Sequence, residues 1–174
     1  VYADKDGVDF TDSAISYFNL RLDVEGLDDI SNEGRFVFVS NHPLGGLDGI
    51  CLSSIVGQKY DKNIKYLVND ILLFIKNLQS IFVPINKHGS QSRNAATLIT
   101  EAYNSKNQII TFPAGLCSRC IKGEILDLEW KKNFIQKAIE SRRDGVPVYF
   151  GSRNSKFFYR FANIIKSLGI KFNI

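Results

Sequence analysis

Apolar residues fall in short runs separated by amphipathic stretches, so strands and helices are expected to alternate along the chain. Phe36-Val37-Phe38-Val39 is a compact β-branched and aromatic run between Glu33-Gly34-Arg35 and Asn41, which predicts a buried strand over Phe36–Ser40. Similar runs predict strands at Ile64–Val68, Ile81–Ile85, Gln108–Phe112 and Val146–Phe150. Pro84 puts the Ile81–Ile85 strand at its own end or at a sheet edge, because proline cannot donate to a ladder. Helical spacing covers Gly49–Gln58, Asp70–Lys76, Ser92–Tyr103, Trp130–Arg143 and Phe157–Leu168. A short helix is expected at Ser13–Leu20, then a strand and turn around Leu22, Val24 and Gly26. The alternation implies a single α/β domain with a largely parallel central sheet flanked by helices. Residues 1–35 read as its N-terminal peripheral segment and 36–174 as its α/β core; no repeat, low-complexity block or linker interrupts them.

The first strand runs into Asn41-His42-Pro43-Leu44-Gly45-Gly46-Leu47-Asp48, which concentrates a proton-transfer side chain, a carboxylate and pliable backbone. His42 would stand just past the C-terminal end of a strand, where open α/β sheets collect ligands. Pro43 stiffens the turn, while Gly45 and Gly46 permit backbone shapes that bulkier residues resist. Two readings stand side by side. Asp48 can fold back to orient His42 as a base, or it can cap the following helix while His42 braces a turn.

Composition narrows the classes. A chain of 174 residues, 44% hydrophobic and with 13 Phe, can bury a substantial core. Its formal charge of +4 suits an anionic substrate or an anionic membrane surface, and equally plain solubility; no nucleic-acid partner is expected. No apolar run reaches the roughly 18 residues of a spanning helix, so contact with a membrane is expected to be peripheral. Cys51, Cys117 and Cys120 form no disulfide framework and favour a reducing compartment. Cys117 and Cys120 make one C-x-x-C, short of the usual four zinc ligands unless His42 or His88 joined it, so no metal site is assigned.

Three further loops carry polar chemistry. Asn86-Lys87-His88-Gly89 follows the Pro84 strand, and Lys87 can neutralise a phosphate while Asn86 supplies a directional hydrogen bond. Pro113-Ala114-Gly115-Leu116-Cys117-Ser118-Arg119-Cys120 offers backbone amides, a hydroxyl and a guanidinium for a phosphate or carboxylate, or a solvent-facing cation. Gly151-Ser152-Arg153-Asn154-Ser155 lacks a G-x-S-x-G elbow, so a serine nucleophile has little support. Phe157-Phe158-Tyr159 and Phe161 alternate with Lys156 and Arg160, a pattern open to core packing or to an interfacial helix.

Taken in order, Asn41–Asp48, Phe82–Lys87, Phe112–Arg119 and Val146-Pro147-Val148 resemble the four motifs of the glycerol-3-phosphate/lysophospholipid acyltransferase superfamily, in particular a bacterial branch labelled putative haemolysin or linked to ornithine-lipid synthesis. The resemblance implies acyl transfer from acyl-CoA or acyl-carrier protein to a hydroxyl of a lyso-lipid, without a cofactor. It implies His42 and Asp48 as the catalytic residues, with Asn41, Gly45, Gly46, Asn86, Lys87, Gly115, Ser118 and Arg119 around the substrate. It also implies a cytoplasmic enzyme, peripheral on the inner membrane. The chain departs from the family in two places: five residues rather than four separate His42 from Asp48, and Ala114 and Leu116-Cys117-Ser118 interrupt the usual F-P-E-G-T-R. Both departures point away from glycerol 3-phosphate as acceptor. A non-catalytic acyl-binding module and a metal-dependent hydrolase are the alternatives.

Overall fold

The computed structural model describes residues 3–85 and 91–168. Its first helix, α1 (Gly7–Tyr17), starts earlier than the expected Ser13–Leu20 because Val8, Thr11 and Ala14 supply a buried face among polar neighbours. No strand forms around Leu22 and Val24, whose side chains are exposed. Strand β1 (Phe36–Ser40) is buried along its whole length. Its side chains alternate between two cores, as the period of a strand requires. Phe36 and Phe38 join Leu52, Val56, Ile64 and Ile110 on one side, and Val37 and Val39 join Ala102, Tyr103, Ile109 and Ala138 on the other.

The chain continues through α2 (Gly46–Lys59), β2 (Ile64–Val68) and β3 (Phe82–Pro84). It then forms α3 (Gln91–Asn104), β4 (Gln108–Thr111), β5 (Arg119–Ile121), β6 (Glu124–Leu126), α4 (Asn133–Ser141), β7 (Asp144–Val148) and α5 (Lys156–Ser167). Five strands make one sheet in the order β3-β2-β4-β1-β7, with every pair parallel. The molecule is therefore the single α/β domain expected, with its parallel sheet covered on both faces. Pro84 and Pro147 lie in β3 and β7, the two edge strands, where a missing N–H costs least.

Several boundaries differ for identifiable reasons. Strand β7 begins at Asp144, whose amide donates to Arg35 O at 3.2 Å, two residues before the expected start. Two 3₁₀ turns, Asp70–Phe74 and Lys76–Leu78, replace the expected helix over 70–76. The segment from Asp127 to Lys132 is a loop that delays α4 to Asn133. The hairpin β5–β6 had no expected counterpart; it turns through Lys122 and Gly123, both with positive φ.

Arg143 closes the far end of the sheet. It is 5% exposed, and its guanidinium donates to Tyr103 O, Asn107 O and Ser105 O at 2.7–2.8 Å, with longer contacts to Phe36 O and Ala102 O. One buried cation thus satisfies carbonyls from the end of α3, from the turn before β4 and from β1.

Helix α1 packs on α2 at close range. The hydroxyl of Ser54 donates to Asp12 at 2.5 Å, Gln58 donates to the same carboxylate, and Val8 fills the space above Gly57. A Cβ on Gly57 would lie 2.5 Å from Val8 Cγ2 and 2.7 Å from its Cγ1. Gly57→Ala is accordingly expected to lower stability by about 1–3 kcal/mol, the usual cost of overpacking. Denaturant unfolding of G57A against the V8A/G57A double variant checks this, since the contact model requires the smaller Val8 replacement to recover part of the loss.

Candidate active site

The loop between β1 and α2 lies at the C-terminal edge of the sheet. Its turn depends on Gly45, which has φ +76° and whose missing Cβ would lie 2.6 Å from Cys117 Sγ. Helix α2 then starts at Gly46, three residues earlier than expected, and carries Asp48 in its first turn. The Asp48 side chain is completely buried, and its Oδ2 accepts the amides of Leu44 at 2.8 Å and Gly45 at 3.0 Å. Those amides and the positive end of the helix compensate the buried carboxylate.

The same Oδ2 lies 3.1 Å from His42 Nδ1, so capping and contact with His42 coexist in one carboxylate. The pair is a close approach and not yet an aligned hydrogen bond; His42 Nδ1 and Asp48 Oδ1 have no hydrogen-bond partner among the described residues. The imidazole rests on Phe112, with ring centroids 4.4 Å apart and planes inclined by 35°. Its side chain keeps 13% exposure. It opens on a cavity of about 570 Å³, shared with Tyr66, Leu72, Leu116 and Lys131, in which apolar side chains predominate.

Five hydrogen bonds fix residues 41–43. The His42 N–H donates to Asp127 Oδ1 at 3.2 Å, and its carbonyl accepts from Ser118 N at 2.8 Å. Ser118 Oγ donates to the same Asp127 oxygen at 2.5 Å, and Trp130 Nε1 donates to the other at 2.9 Å. Asn41 exchanges two bonds with Phe150, 2.7 Å to its N and 3.0 Å to its O, while Asn154 Nδ2 reaches Pro43 O at 2.8 Å. Loops far apart in sequence are thereby joined to one another at the His42 turn.

The structure brings together most, though not all, of the residues singled out from sequence. His42, Asp48, Asn41, Gly45 and Ser118 share the hydrogen-bonded assembly, and Gly115, at φ +71°, lines the cavity. Gly46 opens α2 without a close neighbour. Arg119 turns its Nη1 to Cys117 O at 2.8 Å and is not among the cavity-lining residues; Lys131 is. Asn86, Lys87 and His88 lie outside the described residues. Cys117 is buried, which pushes its thiol pKa up, and among the described residues no cluster of three metal-ligating side chains occurs.

Asp127, Trp130 and Tyr66 escaped the sequence reading. The spacing D-x-x-W offered a faint signal, since Asp127 precedes the helical pattern where a cap would stand. Tyr66 looked like an ordinary strand residue, yet its ring packs on Phe112 and its hydroxyl would touch a Cβ at Gly49 in α2. Burial, then the charge of Asp48, raises the Tyr66 pKa, so the phenol stays protonated.

A protein-family model described as Acyltransferase matches residues 3–174. The chain is 50% identical over 171 residues to the lyso-glycine lipid O-acyltransferase of Bacteroides thetaiotaomicron, covering 98% of this chain and 63% of that protein. It is 51% identical over 170 residues to a protein of the same name from Phocaeicola vulgatus, covering 98% and 61% respectively. The chain thus spans a little over three fifths of the length of these relatives. The crystal structure of the 1-acyl-sn-glycerophosphate acyltransferase PlsC from Thermotoga maritima has the same fold, with a TM-score of 0.55 at 15% identity over 96% of this chain and 80% of that one. With a family match along nearly its whole length and two relatives at half identity, the chain belongs to the acyltransferase family.

Proposed function

We propose that this chain transfers a fatty acyl group from a thioester, acyl-CoA or acyl-carrier protein, to the hydroxyl of a lyso-lipid, with His42 as general base and Asp48 as its orienting partner. The observation that carries the reading is the 3.1 Å approach of Asp48 Oδ2 to His42 Nδ1 at the wall of a cavity with both apolar and polar lining. A carboxylate at Nδ1 favours the tautomer whose Nε2 is free to accept a proton. The acceptor hydroxyl would give its proton to Nε2 as its oxygen attacks the thioester carbonyl. Collapse of the tetrahedral intermediate would break the C–S bond, and the imidazolium would return the proton to the departing thiolate. Asp48 would stabilise that imidazolium.

A lyso-glycine lipid is the first candidate acceptor, a choice supported by the names of the two relatives. A lyso-ornithine lipid is the second candidate acceptor. The apolar walls suit an acyl chain, while Lys131 and Glu129 together give the cavity charges of both signs for a polar head group. The chemistry calls for no cofactor. Among the described residues no helix is long and apolar enough to cross a membrane, so the lipid acceptor would be met from the membrane surface. Acyl-CoA and acyl-carrier protein are water-soluble donors, which suits a peripheral position on the cytoplasmic side of the inner membrane.

His42→Ala is expected to lower turnover by about 10²–10⁴-fold, the usual share of a positioned acid-base group, with the fold intact. A product-resolved assay of wild type and H42A, with both donors and a panel of lyso-lipids, measures reaction and acceptor together; wild-type turnover by H42A would remove the proposed base.

Asp127 is assigned a positioning role because it holds the His42 amide, Ser118 and Trp130 at once. Asp127→Ala should reduce kcat by roughly tenfold while KM changes little, consistent with a misplaced base. Asp127→Asn retains an acceptor oxygen for His42 and Ser118 and should recover most of that loss. Equal kcat losses in D127A and D127N, or a change confined to KM, would contradict the positioning role.

A further inference from the structure

The chain's positive charge is unevenly placed. Residues 145–174 contain Arg153, Lys156, Arg160, Lys166 and Lys171 and no Asp or Glu, which exceeds the formal +4 of the whole sequence. Helix α5 lies within this stretch. It turns Tyr159 and Ala162 inward, each 5% exposed, and leaves Phe157, Phe161 and Ile164 facing out. Leu168, just past its end, continues that row at positions i, i+4, i+7 and i+11, a single stripe along the helix. Phe157 at 76% and Leu168 at 68% exposure are more open than ordinary surface packing needs. The rings of Phe157 and Phe161 stack with centroids 6.0 Å apart.

The helix is seated on the β5–β6 hairpin, where Asn163 Nδ2 donates to Cys120 O at 3.1 Å. The hairpin adds exposed Ile121, Ile125 and Leu126 to the apolar surface. Between hairpin and helix runs a cleft of about 780 Å³, with Arg153, Lys156 and Arg160 along it. Asn154, at the start of this region, is bonded to the His42 loop through Pro43 O. The face is therefore joined to the candidate active site.

An apolar stripe flanked by cations, on a helix too short to span a bilayer, matches the boundary between anionic head groups and acyl chains. A protein surface would have to provide an apolar groove and acidic groups in the same register, whereas a bilayer supplies both by its own layering. We propose that α5 and the β5–β6 hairpin form the face by which this protein lies on an anionic lipid surface. Phe157, Phe161, Ile164 and Leu168 enter the acyl boundary, and Arg153, Lys156 and Arg160 meet lipid phosphates. The inference rests on the lipid acceptor proposed above, and it is tested by binding without turnover so that the two readings fail separately.

The experiment uses the full-length protein and sedimentation with phosphatidylcholine vesicles, with or without phosphatidylglycerol. Wild type and H42A should bind anionic vesicles equally. K156E/R160E and F157S/I164S should each lose about tenfold or more of that affinity, the first by removing the cations and the second by removing the inserted side chains. A polarity-sensitive fluorophore on F157C, in a C120S background, should shift to the blue only when anionic vesicles are added. Far-UV circular dichroism confirms that each variant is folded. Wild-type binding by both double variants would overturn the proposal. So would a fluorophore already shielded without vesicles, because another part of the chain would then cover the stripe.

Discussion

The arrangement turns on a carboxylate taken wholly out of water. A buried Asp48 is tolerable only with strong compensation, and the loop supplies it through two amides, the first turn of α2 and the imidazole of His42. Each compensation constrains something else. The amides of Leu44 and Gly45 reach the same oxygen because Gly45 takes a positive φ, and that turn in turn brings Gly45 against Cys117. The tight start of α2 places Gly49 where the Tyr66 ring needs a residue without a side chain. A local electrostatic requirement thereby fixes the contact between the β1–α2 loop, β2 and the loop after β4.

That requirement explains why the fork between cap and dyad could not be settled from spacing. Capping and contact with His42 read as alternatives because a side chain six positions beyond the histidine is expected to face one or the other. Asp48 Oδ2 accepts both amides and lies close to His42 Nδ1, since all three nitrogens converge on one side of the carboxylate. Sequence shows which residue types are present; convergence is a property of backbone direction.

Strand runs such as Phe36–Ser40 and Ile64–Val68 were legible because a parallel strand covered on both faces is almost continuously apolar. The edge strands were less so. Nothing local to Tyr149 or Phe150 indicates that they leave the sheet; Phe150 does so to pair with Asn41, a partner 109 residues away. Asp127 was hidden for the same reason. Its donors come from His42, Ser118 and Trp130, and only the first two lay in stretches with an evident motif. Arg119 shows the converse. Its position in a loop of small residues suggested a ligand cation, but the carbonyl of Cys117 lies closer at hand.

The five-residue spacing from His42 to Asp48 acquires a physical meaning at this point. An added residue would ordinarily push the carboxylate along the helix and away from the imidazole, by about 1.5 Å of rise and a rotation of about 100°. Here the wider turn keeps the first helical position at Gly46, so Asp48 still faces back toward the loop. The turn before the helix presents the amides of Leu44 and Gly45, which secure the carboxylate. The five-residue spacing therefore leaves Asp48 Oδ2 3.1 Å from His42 Nδ1, and Gly45 forms a wall of the turn. That wall stands against Cys117 in the loop after β4, the same loop in which Ala114 stands where the family motif has glutamate and contributes to the cavity. The two departures thus meet at one surface, beside the contact between His42 and Asp48.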